Sequence, residues 1–389
     1  MVAGRLVGWL FRRAGQPPVV GEVIAGILLG PSLLGALSPA VYHFVLPADL
    51  VPTLGVVSEL GVVLYMFLVG LELNAETVRG HIRATAVIAL ASIVVPFALG
   101  AVLATYLYAT LAPAGVSLLS FTLFVGIAMS ITAFPVLARI LADLEMSQTD
   151  LGVRALACAA MADVTAWCVL ALVVGVVHAA PERAVLVALL TGVFVLATIA
   201  IARPVVVRLV RWSDRRGTTP GAVAVTLVAL LSAAWITDAI GVHAIIGAFL
   251  VGAIIPHDSA LARALTQSFE HLVVILLLPA FFAFTGMKTE IGLIGGTSGW
   301  LLCGLIVLVA TVGKLGGTFA AARAAGLPSR EAAGLGVLMN TRGLMELVVL
   351  NIGLELGVIS PTLFTMMVMM AIVTTVATSP LLRRVAGAT

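Results

Sequence analysis

The sequence is poor in charge. Only 10% of its 389 residues are Asp, Glu, Lys or Arg, against about 25% in soluble domains. Its three cysteines, Cys158, Cys168 and Cys303, lie inside apolar runs, and none stands in a CxxC or zinc spacing. They read as small apolar packing residues, with no disulfide framework and no zinc site. The six histidines are isolated from one another. No phosphate-binding loop and no nucleophile–histidine pair in an aqueous setting is visible, so the chain is not read as an enzyme and no cofactor is expected. The formal net charge of +3 is spread over short loops, which gives no nucleic-acid patch. The N-terminus lacks the basic start, apolar core and small-residue cleavage site of a signal peptide.

What the chain has is apolar length. It is 61% hydrophobic, with a mean hydropathy of +1.20. That composition belongs to an all-α polytopic membrane protein, because a helix satisfies its own backbone in lipid. Thirteen apolar segments fall near 1–13, 18–36, 52–73, 84–109, 116–142, 153–178, 184–211, 220–240, 242–256, 264–286, 298–323, 331–355 and 361–382. The first is shorter than the roughly 20 residues that span a bilayer.

The loops fix an orientation. Arg12, Arg13, Arg79, Arg83, Arg139, Arg154, Arg203, Arg208, Arg211, Arg215, Arg216, Arg263, Arg323, Arg330, Arg383 and Arg384 follow odd-numbered segments; only Arg183 and Lys288 follow even-numbered ones. The positive-inside rule puts the first set in the cytoplasm, the N-terminus outside and the C-terminus inside. The run RLVRWSDRRG at 208–217 then reads as a cytoplasmic loop. An odd number of segments also gives segments 4–6 and 11–13 opposite orientations, as inverted repeats require. The middle segment of each triplet is interrupted, by SITAFP at 130–135 and by MNTRG at 339–343.

A few polar residues stand inside these segments. Asp163, in segment 6, is the one acid in the stretch 155–181, with no base nearer than Arg154 or Arg183. A carboxylate at the middle of a spanning helix costs roughly 2.5–3.5 kcal/mol on insertion scales, so it is expected to face a cavity and carry an ion. In segment 5, Pro135 removes a helical donor, freeing carbonyls near Ile131 and Thr132 that can coordinate a cation beside the Thr132 hydroxyl. In segment 12, Asn340 and Thr341 sit where the helix should unwind, and Arg342 and Glu346 are four residues apart, the spacing of an internal ion pair. Lys314 is the one charge within segment 11; it is expected to pair with Asp163 or Glu346, and Gly313, Gly316 and Gly317 around it allow close helix approach. Glu22, near the cytoplasmic end of segment 2, reads as a capping or pairing residue. Glu59, within segment 3, reads as structural, with a second pathway group as its alternative, and Glu72 stands at the cytoplasmic end of that segment.

The stretches GQPPVVGEVIAGILLGPSLLG at 15–35, FLVGLEL at 67–73, SITAFPVLARIL at 130–141, ADVTAW at 162–167, GVHAIIGAFLVGAIIP at 241–256, FFAFTGMKT at 281–289, VGKLGG at 312–317 and NTRGLMELVVLNIG at 340–353 together resemble the monovalent cation:proton antiporter-2 family. The segment 5, 6 and 12 motifs are most similar to the branch of plant cation/proton exchangers and their bacterial relatives. The resemblance implies that segments 5 and 12 are crossing broken helices and that Asp163 holds the ion-binding position. It also implies a homodimer moving by an elevator-like shift. The corresponding division is a dimer subdomain of about 1–73 and 220–286, a core of about 84–178 and 298–382, and a linker helix of about 184–211. Family members usually carry Asp, Asn or Gln just before the aspartate, where this chain has Ala162. No soluble regulatory domain is expected after segment 13.

The expected function is exchange of a monovalent cation, Na⁺ or K⁺, for protons across the cell membrane. Asp163 and Lys314 are central, Thr132, Ile131 and Asn340 complete the cation shell, and Arg342, Glu346 and Thr341 support it. Ala162 removes a second titrating group, so electroneutral exchange is expected. The alternatives are a transport-deficient membrane sensor or scaffold and a cation channel of the same fold.

Overall fold

The computed structural model describes residues 2–47, 49–72, 82–178, 181–216, 219–241 and 243–386. Arg79 and Gly217 lie outside the described residues, as do the side chains of Glu72, Arg83, Pro135, Arg139, Arg183, Arg215 and Arg216. The described chain is helical throughout. In order, the helices are α1 Val2–Arg13, α2 Pro18–Leu29, α3 Pro39–Val45, α4 Leu50–Glu72, α5 Ile82–Leu111, α6 Leu118–Ser130, α7 Phe134–Asp143, α8 Asp150–His178, α9 Pro181–Ala197, α10 Arg203–Arg216, α11 Pro220–Ile240, α12 Ala244–Ile254, α13 Ala260–Leu272, α14 Leu278–Met287, α15 Gly296–Thr311, α16 Gly317–Ala324, α17 Ser329–Met339, α18 Leu344–Glu355 and α19 Pro361–Ala386.

All thirteen apolar segments are helical. Nine helices or helix runs among the described residues are long and apolar enough to cross a membrane. The remaining segments are the first, which is the short α1; the ninth, the short α12; and the fifth and twelfth, each broken into two helices. Short π-helical turns join α9 to α10, α13 to α14 and α15 to α16, so those runs continue without a loop. The short α3 was not legible as an apolar segment.

The chain divides into two compact units. One comprises Met1–Pro47, Glu76–Leu170 and Phe282–Thr389; the other comprises Ala48–Ala75 and Ala171–Phe281. Both broken helices, Asp163 and Lys314 belong to the first. Its apolar interior runs through Leu137, Leu141, Cys158, Ala159, Ala162, Leu335 and Leu338, so the residue before Asp163 is packed in hydrocarbon. Contacts inside this unit fix the site described next. In the second unit Leu230, Ala248, Leu265 and Val273 are fully buried, while α9 and α11 expose runs of apolar residues, among them Leu186, Leu189, Val193, Val225, Val228 and Leu231, as suits helices facing lipid. Helix α10 exposes Arg203, Arg208 and Arg211 beside its apolar residues.

Candidate functional site

The site is built by two helices that stop and restart. Helix α6 ends at Ser130; Ile131 is extended, with φ −69° and ψ 141°, and α7 begins at Phe134. Pro135, in the first turn of α7, has no N–H to donate to the Ile131 carbonyl, and a proline is tolerated there because first-turn donors lack helical partners anyway. Helix α17 ends at Met339 and α18 begins at Leu344. The two breaks meet. The Ala133 N–H donates to the Thr341 carbonyl at 3.0 Å, and the Thr132 hydroxyl donates to the Met339 carbonyl at 3.2 Å. Gly343 allows the approach, since a Cβ there would stand 2.8 Å from Val136 Cγ2 on α7. Ile131, Thr132, Asn340 and Thr341 are all buried at this crossing. No N–H or O–H among the described residues donates to the Ile131 or Thr132 carbonyl.

Charge is distributed around the crossing by the sign of each helix end. A helix C-terminus is negative and attracts cations, and a helix N-terminus is positive and attracts anions. The last three carbonyls of α6 are held by two cations. Arg342 donates to the Ala128 carbonyl at 3.3 Å and to the Met129 carbonyl at 2.7 Å, and Lys314 donates to the Ser130 carbonyl. At the other side of the same break, Asp163 of α8 faces the backbone N–H of Phe134, the first residue of α7. The broken helix thus presents its negative end to Arg342 and Lys314 and its positive end to Asp163.

Asp163 is 4% exposed. Among the described residues, neither of its carboxylate oxygens meets a hydrogen-bond partner, nor does the Asn340 side-chain oxygen. The Lys314 ammonium and the Phe134 N–H are near enough to act on the Asp163 charge. A buried carboxylate ordinarily accepts several hydrogen bonds. Here two of its oxygens are left with open lone pairs beside a helix N-terminus, an arrangement able to take up a proton or coordinate a small cation.

Lys314 departs from expectation. It is fully buried in the π turn Val312–Gly316 between α15 and α16, yet it forms no ion pair with Asp163 or Glu346. Its ammonium donates instead to the carbonyls of Ser92, at 2.8 Å, and Ser130. Both acceptors are carbonyls that their own helices cannot satisfy. Pro96 lies inside α5 and removes the N–H that would have reached Ser92 four residues back, and Ser130 is the last residue of α6. Glycines bring the lysine in. A Cβ at Gly313 would lie 3.0 Å from Pro96 Cα, and one at Gly317 would lie 2.7 Å from Val95 Cβ, so only glycine lets this turn press against α5.

Arg342 and Glu346 do form the expected pair. The Nη1–Oε2 distance is 2.9 Å with both side chains fully buried. The backbone of Arg342 is held by a residue the sequence did not single out: Thr375 of α19 accepts from the Arg342 N–H at 3.2 Å and donates to the Arg342 carbonyl at 2.6 Å. Thr341 lies beside Thr378 at 3.4 Å. The signal available in the sequence was the threonine-rich run TTVAT at 374–378 inside an apolar segment. Of the other acids, Glu22 is buried in α2 with Arg5 of α1 at 4.0 Å, and Glu59 is exposed on α4.

Comparison with known proteins places this arrangement. The model of the family described as sodium/hydrogen exchanger, transmembrane, matches residues 2–384. The chain is 44% identical over 384 residues to the Na⁺/H⁺ antiporter NhaS4 of Synechocystis, covering 98% of this chain and 94% of that protein. It is 40% identical to cation/H⁺ antiporter 19 of Arabidopsis thaliana over 98% of its own length. It is 33% identical to K⁺/H⁺ antiporter 1 of Saccharomyces cerevisiae over 94% of its own length. It spans 48% and 43% of those two proteins. The structure of the sodium proton antiporter MjNhaP1 from Methanocaldococcus jannaschii superimposes with a TM-score of 0.69 at 13% identity, covering 98% of this chain and 93% of that one, which is a likeness of fold. With a family model and a near-full-length relative both spanning the broken helices and Asp163, the chain belongs to the sodium/hydrogen exchanger transmembrane family.

Proposed function

We propose that this chain exchanges a monovalent cation, Na⁺ or K⁺, for protons across the cell membrane, with Asp163 holding the cation or the proton in turn. The observation that carries this reading is the buried Asp163 carboxylate, with both oxygens unpartnered among the described residues, beside the meeting point of two broken helices. The relatives' names point the same way: they are described as Na⁺/H⁺, cation/H⁺ and K⁺/H⁺ antiporters.

The cation would be ligated by the Asp163 carboxylate, the Ile131 and Thr132 carbonyls, the Thr132 hydroxyl and the Asn340 amide oxygen. Lys314 and Arg342 keep the α6 end rigid by holding its last three carbonyls. The bare carboxylate is held back by the cost of carrying charge through low dielectric, while the protonated or cation-loaded site is neutral and crosses. Because position 162 is alanine packed among apolar residues, Asp163 alone changes charge in the cycle, and one cation is exchanged for one proton without net charge movement. Alternating access is assigned to an elevator-like shift in a homodimer. The dimer subdomain is about 1–73 and 220–286, the core about 84–178 and 298–382, and the linker about 184–211. The N-terminus lies outside and the C-terminus in the cytoplasm.

Ala162 also favours a second reading, a chain that keeps the fold as a membrane sensor or scaffold without transport. Proton flux in proteoliposomes on adding Na⁺ or K⁺ separates the two. A cation-dependent flux supports exchange, and its absence with correctly folded protein supports the second reading.

A further inference from the structure

Away from the crossing, the first unit holds a second group of oxygen ligands that a cation already occupies. Lys288, just past the end of α14, places its ammonium 3.3 Å from the Asn351 side-chain oxygen and 3.3 Å from Glu355 Oε1. The same ammonium lies 4.5 Å from the centre of the Phe284 ring. An amide oxygen, a carboxylate and an aromatic face are the ligand types that hold a small monovalent cation, and here the cation is a tethered one.

The cage is built to keep this shape. The amide nitrogen of Asn351 donates to the Thr285 hydroxyl at 2.9 Å and to the Leu347 carbonyl at 2.9 Å. Both of its hydrogens are therefore used, and the amide oxygen is turned toward Lys288. Thr285 is fully buried and its carbonyl accepts from Thr289 at 2.9 Å. Ser32 ties the next residues, donating to the Thr289 carbonyl at 2.8 Å and accepting from the Ile291 N–H at 2.9 Å. The Asn351 oxygen is fixed, but the ammonium is held weakly. Charge-assisted N–H···O bonds run about 2.7–2.9 Å, and both contacts here are longer. The Lys288 side chain is 26% exposed and that of Glu355 is 55% exposed, so water competes for the pair and it contributes little to stability. A fixed amide oxygen and a solvated carboxylate around a loosely seated occupant are poor as a structural lock and well suited to exchange.

We propose that Asn351, Glu355 and Phe284 form a second monovalent-cation site, which the Lys288 ammonium fills when no ion is present and vacates to solvent when one binds. Net charge in the cage is the same in both states, so the swap costs no uncompensated charge. Asn351 and Glu355 lie on α18, the helix that restarts at the break beside Asn340, and the site is a waiting position for the ion on the same helix that reaches the crossing. This role rests on the proposed cation transport; the existence of the site does not.

The test is equilibrium binding of radioactive sodium and rubidium to the purified full chain, in an Asp163→Asn background that removes the carboxylate at the crossing. Asp163→Asn with Lys288→Met is expected to show saturable binding of a single cation per chain, and Lys288→Gln the same. With Lys288 intact the binding is expected to be severalfold weaker, because a tethered cation competes at a high effective concentration. Adding Glu355→Gln or Asn351→Leu to the Lys288→Met chain is expected to abolish it. No saturable binding in either Lys288 variant, or binding that survives Glu355→Gln, overturns the proposal. Absence of transport in the parent chain with the site intact would instead count against the exchange reading alone.

Discussion

Replacing Lys314 by methionine asks what the buried lysine is for. The side chains are nearly equal in length, so the change removes the ammonium and little volume. Two hydrogen bonds are lost, to the Ser92 and Ser130 carbonyls, and each acceptor is left without its helical partner. Hydrogen bonds to charged groups contribute about 1.5–3 kcal/mol each, so the pair amounts to roughly 3–6 kcal/mol. The lower end is expected, because methionine also relieves the cost of keeping an ammonium out of water. The assay is equilibrium unfolding of the purified protein in mixed micelles, run for Lys314→Met in both the parent and an Asp163→Asn background. If the carbonyls hold the lysine, a loss of at least about 2 kcal/mol persists when Asp163 is neutral. Were Lys314→Met harmless once Asp163 is Asn, the acid rather than the carbonyls would be the partner, and the reasoning from Pro96 and the α6 terminus would fail.

Thr132→Val and Asn340→Ala are expected to raise the apparent KM for the transported cation with a smaller effect on maximal rate, because each removes an oxygen proposed to ligate the ion; unchanged KM in both would move the ion away from the crossing. Thr132→Val should also cost about 0.5–1.5 kcal/mol of stability through its lost bond to the Met339 carbonyl, read in the same unfolding assay. Exchange is expected to be electroneutral, so that its rate in proteoliposomes does not follow an imposed membrane potential. A transport-linked current on a cation jump would show that a second group, with Lys314 the first suspect, gives up a proton.

The sequence carried the architecture because membrane helices declare themselves by apolar length and by where arginines collect. It also carried both breaks. Pro135 and the polar run at 340–342 disrupt helices locally, and local chemistry is legible without a fold. The Arg342–Glu346 pair followed from spacing alone. The partners of Lys314 did not, because charge rules suggested an acid while the fold supplied carbonyls. Pro96, four residues after Ser92, was a readable signal for one of them; the meeting of α5 with the turn after α15 was not. Thr375 was hidden for the same reason: its hydroxyl lies on the Ala371 carbonyl of its own turn at 2.7 Å, as the sequence alone suggests, and only the fold brings the Arg342 backbone within its reach as well. The short α3 escaped because its seven residues are too few for a period to show.

The central claim is that one carboxylate carries either the cation or the proton. Asp163→Asn keeps the shape of the side chain and removes its ability to change charge. The decisive measurement is cation-dependent proton flux in proteoliposomes for Asp163→Asn beside the parent chain, with folding of the variant verified by its unfolding transition. Flux in the parent and none above background in the variant is the predicted result. Exchange by the purified Asn variant would contradict the account, because no remaining group at the crossing could alternate between cation and proton.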